Sequence, residues 1–253
     1  MTIKNIILSL IFSLIFTATF GQSKGTLNYK YIQNTPYGPN VINFITYFQG
    51  NKSLEVGIYN TKSTLDSLNE NEFIKNISFS SNKRPFVFKD LSNNTLLLAD
   101  NILTKLFFIR DTLNNFKWKA TNENKQILGY KCTKASLNYR GRDFIAWYTD
   151  AIPLQFGPWK FGGLPGLIIK LNDTQNNFVY ELTGIDFKSD FDSNIIKVPS
   201  AFLKDQPISH KDFIAIMNKK NLDYIKMNKI VTVGADGSTV SGNSVIAEKI
   251  EKF

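Results

Sequence analysis

The sequence predicts a single, mainly β domain of the α+β class, in which a strongly bent antiparallel sheet, or half-barrel, carries one C-terminal helix. Short apolar stretches with alternating side chains recur at regular spacing, and Gly, Pro and Asn residues separate them. Only one stretch, near the C-terminus, has helical spacing. Hydrophobic residues make up 43% of the chain, and 21 Phe and 10 Tyr supply an aromatic core. A β-sandwich is the alternative arrangement of such strands.

The N-terminus has the composition of a secretory signal peptide. Lys4 precedes an apolar run at 6–16, and Thr19 and Gly21 supply small residues before a cleavage point. The run is shorter than the ~20 residues that a membrane-spanning helix needs, so we prefer cleavage over an uncleaved anchor. We therefore expect a signal peptide at 1–21 and one domain at 22–253. The mature chain is expected to be exported and soluble, in the periplasm or at the cell surface.

Alternation with a period of two predicts two groups of strands along the chain. The first group lies at 25–32, 41–48, 54–59, 86–90, 95–98 and 105–110. The second group lies at 127–135, 144–149, 167–171 and 178–183. Turn residues that connect neighbouring strands lie at 36–39, 49–52 and 139–143. The polar segment at 61–76 is poorly periodic, and we interpret it as a surface loop or a short helix.

A helix is predicted at about 210–227. Ser209 is suited to capping its N-terminus, and Asp212 three residues later gives a capping-box pattern. The apolar face, which we expect to pack on the sheet, consists of Phe213, Ile216, Met217 and Ile225. The tail at 232–243 is Gly-rich and polar, and is expected to be loose or a hairpin.

The stretch at 157–171 contains four Gly and two Pro, and it then enters an apolar strand. Pro fixes φ, and Gly166 after Pro165 fits a type II turn, whose third residue needs a positive φ. A rigid, non-helical loop is therefore predicted, with a strand that begins near Leu167. No residue of this stretch is a nucleophile, a general base or a metal ligand, which favours a role in shape or binding.

Aromatic side chains cluster on and beside this loop. The candidate binding residues are Trp147, Tyr148, Phe156, Trp159, Phe161, Leu164, Pro165 and Gly166. Aromatic rings on a rigid loop make good binding anchors, because little conformational entropy is lost on docking. The alternative is that these rings fill the end of the β fold.

The residues Gly-Leu-Pro-Gly-Leu-Ile at 163–168 carry a family resemblance, together with the flanking stretches at 129–135, 146–153 and 157–158. The chain resembles the GLPGLI family over roughly 115–185. The resemblance implies an exported protein of Bacteroidetes-type bacteria and a companion of outer-membrane, TonB-dependent receptors. The family has no established activity, so the resemblance implies a compartment and not a reaction. At the level of the fold, the bent sheet is similar to the half-barrel of periplasmic lipoprotein carriers.

The charge and the single cysteine exclude several classes of protein. The net charge of +9 is scattered along the chain, which indicates a Lys-rich solvated surface or attraction to an anionic envelope. Nucleic acid is not expected as a partner of an exported chain. Cys132 is the only cysteine, so it forms no internal disulfide, and we expect it to be a small buried hydrophobe. Because no cysteine lies near the cleavage point, a lipoprotein is not expected.

The candidates for catalysis are few. His210 is the only histidine, so a catalytic triad is excluded unless His210 supplies its base, and a zinc site of several His and Cys is excluded by count alone. We expect His210 to be exposed in the first turn of the helix. Phosphate-binding Gly loops and calcium loops are absent from the sequence, and we predict neither a cofactor nor a metal. A carboxylate pair of the glycosidase type stays open, with the candidates Asp143, Asp150, Asp173 and Glu181.

These observations favour a non-enzymatic exported envelope protein that is a binding partner of an outer-membrane β-barrel receptor or of its accessory proteins. The alternative is a periplasmic carrier or binding module for an apolar ligand, a lipid or a peptide, in the half-barrel. A hydrolase is a third hypothesis. A deep cavity lined by Phe and Tyr would favour the carrier, whereas a filled core with an exposed flat patch would favour the receptor companion.

Overall fold

The computed structural model describes residues 24–58, 83–113, 116–227, 230–233, 239–242 and 249–251. For 224–227, 230–233 and 239–242 only the backbone is described. The predicted signal peptide at 1–21 and the polar segment at 61–76 lie outside the described residues. Among the helices of the described ranges, none is both long enough and apolar enough to cross a membrane.

Fourteen strands and one α-helix occur in the described part of the chain. The strands are β1 (Lys24–Thr35), β2 (Gly38–Gln49), β3 (Lys52–Ile58), β4 (Phe86–Asp90), β5 (Thr95–Ile102), β6 (Lys105–Thr112), β7 (Lys119–Ile127), β8 (Tyr130–Tyr139), β9 (Arg142–Thr149), β10 (Leu167–Asp173), β11 (Phe178–Asp186), β12 (Ile208–Ser209), β13 (Ile230–Val233) and β14 (Thr239–Gly242). The helix is α1 (His210–Met227), and two single-turn 3-10 helices lie at Ser193–Ile195 and Ser200–Phe202.

Twelve of the described strands form one sheet, in the order β12-β6-β5-β4-β3-β2-β1-β11-β10-β9-β8-β7. Two meanders, β1 to β6 and β7 to β11, are joined where β1 pairs with β11. The pairs are antiparallel except for that of the two-residue β12 with β6. The sheet is bent and open, and it does not close into a barrel. The predicted fold class is therefore confirmed, and one continuous sheet excludes the alternative β-sandwich.

The inner face of the sheet carries the largest hydrophobic core. Leu27 and Tyr29 of β1 and Phe144 of β9 are buried there, because their side chains alternate onto this face. The loop at 150–166 covers them, and its Phe156 and Phe161 are buried in the same core. The loop is thus part of the fold's interior.

The outer face of β3 to β6 is covered by the segment that contains the two 3-10 helices. Phe86 and Phe88 of β4 pack there against Ile196 and Phe202. Since the inner face of β4 is covered as well, all five of its residues are buried. The buried residues of β4 therefore include two charged ones, Lys89 and Asp90.

The helix α1 begins and ends at the predicted residues, His210 and Met227. The Ser209 hydroxyl accepts a hydrogen bond from the Asp212 backbone N–H at 3.1 Å and donates one to the Asp212 carboxylate at 2.6 Å. Ser209 thus caps the helix as predicted. Phe213 and Met217 are buried against β5 and β6. The side chain of Ile225 lies outside the described residues. The pairing of β13 with β14 confirms a hairpin in the tail.

The predicted strands differ from the structure around β7. The strand β7 was missed, because it lies at the sheet edge and most of its residues are polar and exposed, so no alternation marks it. Leu128 and Gly129 form a turn between β7 and β8, with positive φ at both, where one continuous strand was expected.

Gly166 does not adopt the positive φ that a type II turn requires. The positive φ of this loop occurs at Gly163, with +78°, and at Trp159, with +50°. Gly166 is needed for a different reason: a Cβ atom there would lie 1.9 Å from the backbone oxygen of Thr149. The glycine therefore allows two backbones to approach closely where the loop enters β10.

Candidate functional site

A cavity of about 370 Å³ lies between the inner face of the sheet and the elements that cover it. Its walls are mainly aromatic and aliphatic. The sheet contributes Tyr31, Ile42, Phe44, Val87, Leu98 and Tyr180, and α1 contributes Phe213, Ile214 and Met217. Polar side chains occur at a few points of the lining, among them Gln33, Asn40, Glu55 and Asp100. The cavity thus has the composition of a small-molecule site, an apolar body with few polar contacts.

Residues 249–251, which we call the strap, close one side of this cavity. All three line it. Arg142 of β9 donates from Nε to the Ile250 carbonyl at 2.9 Å and from Nη2 to the Lys249 carbonyl at 3.2 Å. The buried Asp173 orients this guanidinium by accepting from Nη1 at 2.6 Å. The strap is therefore held through its backbone as well as through its side chains.

The side chain of Lys249 fixes the other end of the strap. Its Nζ donates to the Asn101 carbonyl at 3.0 Å and lies 3.3 Å from Oδ1 of Asp100, at the end of β5. This ion pair is partly exposed, with side-chain exposures of 40% and 36%. Exposed pairs contribute little to stability. The lysine therefore mainly positions the strap at the rim of the cavity.

Five charged or ionisable side chains meet at the Glu251 end of the strap, and we call them the charge cluster: Asp111, Arg140, Lys160, His210 and Glu251. Arg140 binds Asp111 in a bidentate manner at 2.8 and 2.9 Å. Lys160 Nζ bridges the two carboxylates, with 2.9 Å to each. Arg140 also contacts Glu251, and His210 Nε2 lies 2.9 Å from Oε2 of Glu251. The cluster ties β6, the β8–β9 turn, the loop, α1 and the strap together.

The two carboxylates of the cluster are held in the ionised state. Burial opposes the charge of Glu251, but the hydrogen bond to His210 and the charges of Lys160 and Arg140 lower its pKa from 4.5 to about 2. For Asp111, hydrogen bonds from Arg140 and Lys160 likewise outweigh burial, and its pKa lies well below the ordinary value. A general acid needs a raised pKa, so neither carboxylate is suited to that role.

Asp111, His210 and Glu251 also have the geometry of a three-ligand metal group, since their ligand atoms lie within 4.8 Å of one another. However, Lys160 Nζ already lies between the two carboxylates. Arg140 and Lys160 balance both negative charges, so a divalent cation would have to displace them. The donor set therefore fits an internal ion network better than a metal.

A second buried pair holds the backbone of the loop. Glu55 accepts from the backbone N–H of Trp159 at 3.0 Å, and Lys89 Nζ donates to the carbonyls of Gly157 and Phe161 at 2.8 Å each. Burial raises the pKa of Glu55, and the charge of Lys89 opposes this rise. Burial lowers the pKa of Lys89 to about 8, against the effect of Glu55. The pair thus satisfies loop groups that have no strand partner.

Most of the predicted binding residues are part of the core. Phe156, Phe161 and Leu164 are at most 3% exposed, and Tyr148 and Gly166 are buried. The single ring of Phe161 packs against five other rings, those of Phe116, Trp118, Tyr139, Phe144 and Trp159. At these positions the rings therefore fill the fold.

Three predicted binding residues keep accessible surface. Trp147 and Trp159 are partly buried, and Pro165 is exposed. Trp159 is the one of the eight predicted residues that lines the cavity. Its backbone has a positive φ of +50° and is bound to Glu55, so its ring is held in a defined position. Trp159 is thus a cavity residue, whereas most of the other predicted binding residues belong to the core.

The other predicted site residues have mixed outcomes. Cys132 is buried, as expected, and burial raises the pKa of its thiol. The prediction of an exposed His210 is wrong, because its side chain is only 13% exposed and lies in the charge cluster. Of the four carboxylate candidates, Asp173 is buried against Arg142, whereas Asp143 and Asp150 are exposed. Glu181 pairs with Lys170, so these candidates do not form a catalytic pair.

The carboxylates that do meet are Asp111 and Glu251, which sequence reasoning missed. Arg140 is 29 residues from Asp111 and 111 residues from Glu251, so no local spacing links them. We find no local pattern in the sequence that would have indicated this meeting.

Comparison with known proteins gives one family match. The sequence model of a family described as N-glycanase peptide, N-terminal domain (PNGase F-II) matches residues 86–212, which is half of the chain. Two structures of PNGF-II, in space groups P21 and C2, are similar over 78% of this chain at 19% and 18% identity, with TM-scores of 0.49 and 0.50. The chain spans about a third of the length of these proteins, 34% and 33%. The similarity to the structure in space group C2 supports a shared fold and no conclusion about activity.

A more distant likeness links the chain to a LolA superfamily protein from Nitrosomonas europaea. It extends over 71% of this chain and 92% of that protein at 8% identity, with a TM-score of 0.32, which is too low to support an argument. No curated protein matches the chain.

These comparisons overturn the resemblance to the GLPGLI family. The matching family is that of the N-glycanase domain, and Bacteroidetes-type bacteria as a source have no support. The six residues at 163–168 are explained by local demands: the positive φ of Gly163, the close approach at Gly166 and the buried start of β10. A short motif of this kind is weak evidence for a family. The model of the N-glycanase family matches half of the sequence, so the chain belongs to the family described as N-glycanase peptide, N-terminal domain.

Proposed function

We propose that the protein is a non-enzymatic binding module that holds an apolar ligand in the cavity beneath α1. The observation that carries this proposal is the cavity of about 370 Å³ on the inner face of the bent sheet. Its volume falls in the range of about 300–1,000 Å³ that is typical of ligand pockets. Tyr31, Phe44, Tyr180 and Phe213 supply aromatic walls of the kind expected for a carrier.

The chemistry around the cavity supports binding over catalysis. Asp111 and Glu251 approach each other, and both are held ionised by Arg140 and Lys160. Such a network stabilises a shape and offers no proton to a leaving group. The family is named for an N-glycanase, and this chain corresponds to about a third of PNGF-II, so a glycopeptide is included among the ligands to be tested.

The test uses the neutral fluorescent probe N-phenylnaphthylamine. Ile42 lines the cavity, whereas its neighbour Val41 is 47% exposed, which provides a matched pair of variants on β2. We expect one probe molecule to bind per chain. Ile42→Glu should weaken binding by about tenfold or more, because a carboxylate in the cavity loses its hydration. Val41→Glu should leave binding unchanged.

Circular dichroism would verify that both variants are folded. Solvent extraction and mass spectrometry of the purified protein would identify a ligand that is carried along, whether lipid, peptide or glycopeptide. Absence of probe binding to the parent protein, or equal weakening by both variants, would overturn the proposal.

The first hypothesis, an exported companion of an outer-membrane β-barrel receptor, stays a prediction, and so does export to the periplasm or cell surface. Of the candidate contact residues, Pro165 is exposed and Trp147 is partly exposed. Substitution of both by Ala should reduce recovery of a β-barrel protein in a mild-detergent pull-down, if this surface contacts the receptor. Equal recovery with parent and variant would remove this surface from consideration.

A further inference from the structure

The strap combines an apolar group inside the cavity with a carboxylate at its end. Ile250 lines the cavity and packs against the core. The next residue, Glu251, places its carboxylate on Lys160 and Arg140. The cations belong to the body of the fold, one in the loop and one in the β8–β9 turn. The strap thus places an apolar side chain in the cavity and a carboxylate on two cations beside it.

The charges make this carboxylate hard to remove without a replacement. Lys160 is 2% exposed at its side chain, and it is balanced by Asp111 and Glu251 together. Arg140 binds the same two carboxylates. Loss of Glu251 would leave two cations against one carboxylate in a buried position. An uncompensated buried charge is unfavourable, so a carboxylate that enters as the strap leaves would restore the charge balance.

The contacts of the strap are of a kind that a ligand can replace. Arg142 binds the strap through two carbonyl oxygens, and Lys249 binds a partly exposed carboxylate. A single apolar residue, Ile250, is packed against the core from this segment. The Glu251 carboxylate makes the contact of the strap with two cations of the fold, and charge-assisted contacts of this kind are the strong ones.

We propose that the ligand of this cavity is an amphiphile with an apolar chain and one carboxylate, which takes the place of Glu251 on Arg140 and Lys160. This inference rests on the proposed function and names its ligand class. The apolar chain occupies the cavity, and the carboxylate displaces the strap from the charge cluster. The strap is then a built-in competitor that keeps the cations paired when no ligand is bound. An acyl carboxylate and an acidic peptide share this chemistry.

The proposal is tested by displacement of N-phenylnaphthylamine with decanoate and with the neutral alcohol decanol. The variant Glu251→Gln removes the competing carboxylate and keeps the shape of the side chain. We expect decanoate to displace the probe from this variant at a concentration about tenfold lower than from the parent, within the usual range of coupling between sites. Decanol should act equally on both. The control Glu181→Gln, in a partly exposed pair on β11, should behave as the parent does.

A second variant assigns the effect to the cations. Addition of Lys160→Met to Glu251→Gln should remove the advantage of decanoate over decanol. The acetylated and amidated tripeptide Lys-Ile-Glu, with the sequence of residues 249–251, is the peptide arm of the assay. Stronger displacement by the tripeptide identifies a peptide ligand, and stronger displacement by decanoate identifies an acyl ligand.

A measurement on the parent protein keeps the proposal testable if a variant does not fold. The 13C carboxyl resonance of labelled decanoate reports its ionisation when bound. Next to Arg140 and Lys160, the bound carboxylate should stay ionised to a lower pH than free decanoate does. A bound carboxylate that titrates at or above the pH of free decanoate would overturn the inference. Equal displacement by decanoate and decanol from all variants would also overturn the inference, but it would leave the proposed function intact. A probe that never binds would instead overturn the proposed function.

Discussion

At the scale of single residues, Lys160 has the most consequential position in the protein. Its side chain is 2% exposed, and its Nζ lies 2.9 Å from both Asp111 and Glu251. The charged nitrogen also lies over the ring of Trp159, 4.7 Å from the ring centroid. A lysine in this place is stable only because two carboxylates and an aromatic face surround it.

Substitution of Lys160 should therefore be costly. Lys160→Met removes one of the two cations that contact Glu251, and the cost should be about 3–5 kcal/mol in the free energy of unfolding, as for other broken buried pairs. Urea denaturation at neutral pH measures this value.

Lys170 on β10 is the control for this experiment. It pairs with Glu181 at side-chain exposures of 31% and 37%, so Lys170→Met should cost less than about 1 kcal/mol. Similar losses in the two variants would mean that the charge cluster does not stabilise the fold beyond an ordinary surface pair.

At the scale of elements, the loop at 157–166 behaves as an internal wall and not as an exposed anchor. Its backbone is fixed by Glu55 and Lys89, and its ring Phe161 is fully buried. The sequence correctly predicted that this loop is non-helical and that the following strand begins at Leu167. It could not show on which side the rings lie, because that depends on the sheet onto which the loop folds.

Two glycines of this loop should respond differently to alanine. Gly166→Ala would bring a Cβ within 1.9 Å of a backbone oxygen, so the chains must separate, and we expect a loss of about 3 kcal/mol or more. Gly163 has a φ of +78° with open space around it, so Gly163→Ala should cost only about 1–2 kcal/mol.

Thermal unfolding of the two glycine variants, monitored by circular dichroism, gives this comparison. A Gly166→Ala protein as stable as Gly163→Ala would show that the approach of the loop to β9 is not as close as described.

At the scale of the whole molecule, the charge cluster joins segments that are distant in the chain. Asp111 belongs to the first meander, Arg140 and Lys160 to the second, and Glu251 to the strap. The cluster thus holds together parts of the fold that strand pairing alone does not join, and its Glu251 lines the cavity. Its ionisation should therefore influence the stability of the entire domain.

Acid should destabilise the protein through this cluster. The pKa of Glu251 is lowered from 4.5 to about 2, so between these values the unfolded chain binds more protons than the folded one. Stability is therefore fully present above pH 4.5 and is lost as the pH falls towards 2, by about 3 kcal/mol for Glu251. The pKa of Glu55 is raised, so its contribution to stability is lost as the pH rises above 4.5, which is the opposite direction. Measurements below pH 4.5 therefore report the effect of Glu251 without that of Glu55.

Urea unfolding at a series of pH values from about 5 down to about 2 measures this loss of stability. Glu251→Gln should reduce the slope of stability against pH, and Glu181→Gln should retain the slope of the parent. Parallel curves for parent and Glu251→Gln would contradict a shifted pKa at this position.

The sequence by itself determined the local structure of this protein: the fold class, ten of the strands, the cap and both ends of α1, and the burial of Cys132. These features follow from side-chain alternation, turn residues and caps, which act between near neighbours.

Only the tertiary structure decided the cavity, the charge cluster and the side on which the aromatic rings lie. The groups that form them are separated by up to 111 residues, and they meet because β1 pairs with β11 and the strap crosses the inner face. No periodicity records such a meeting, since Coulomb attraction and burial depend on distance in space and not on distance along the chain.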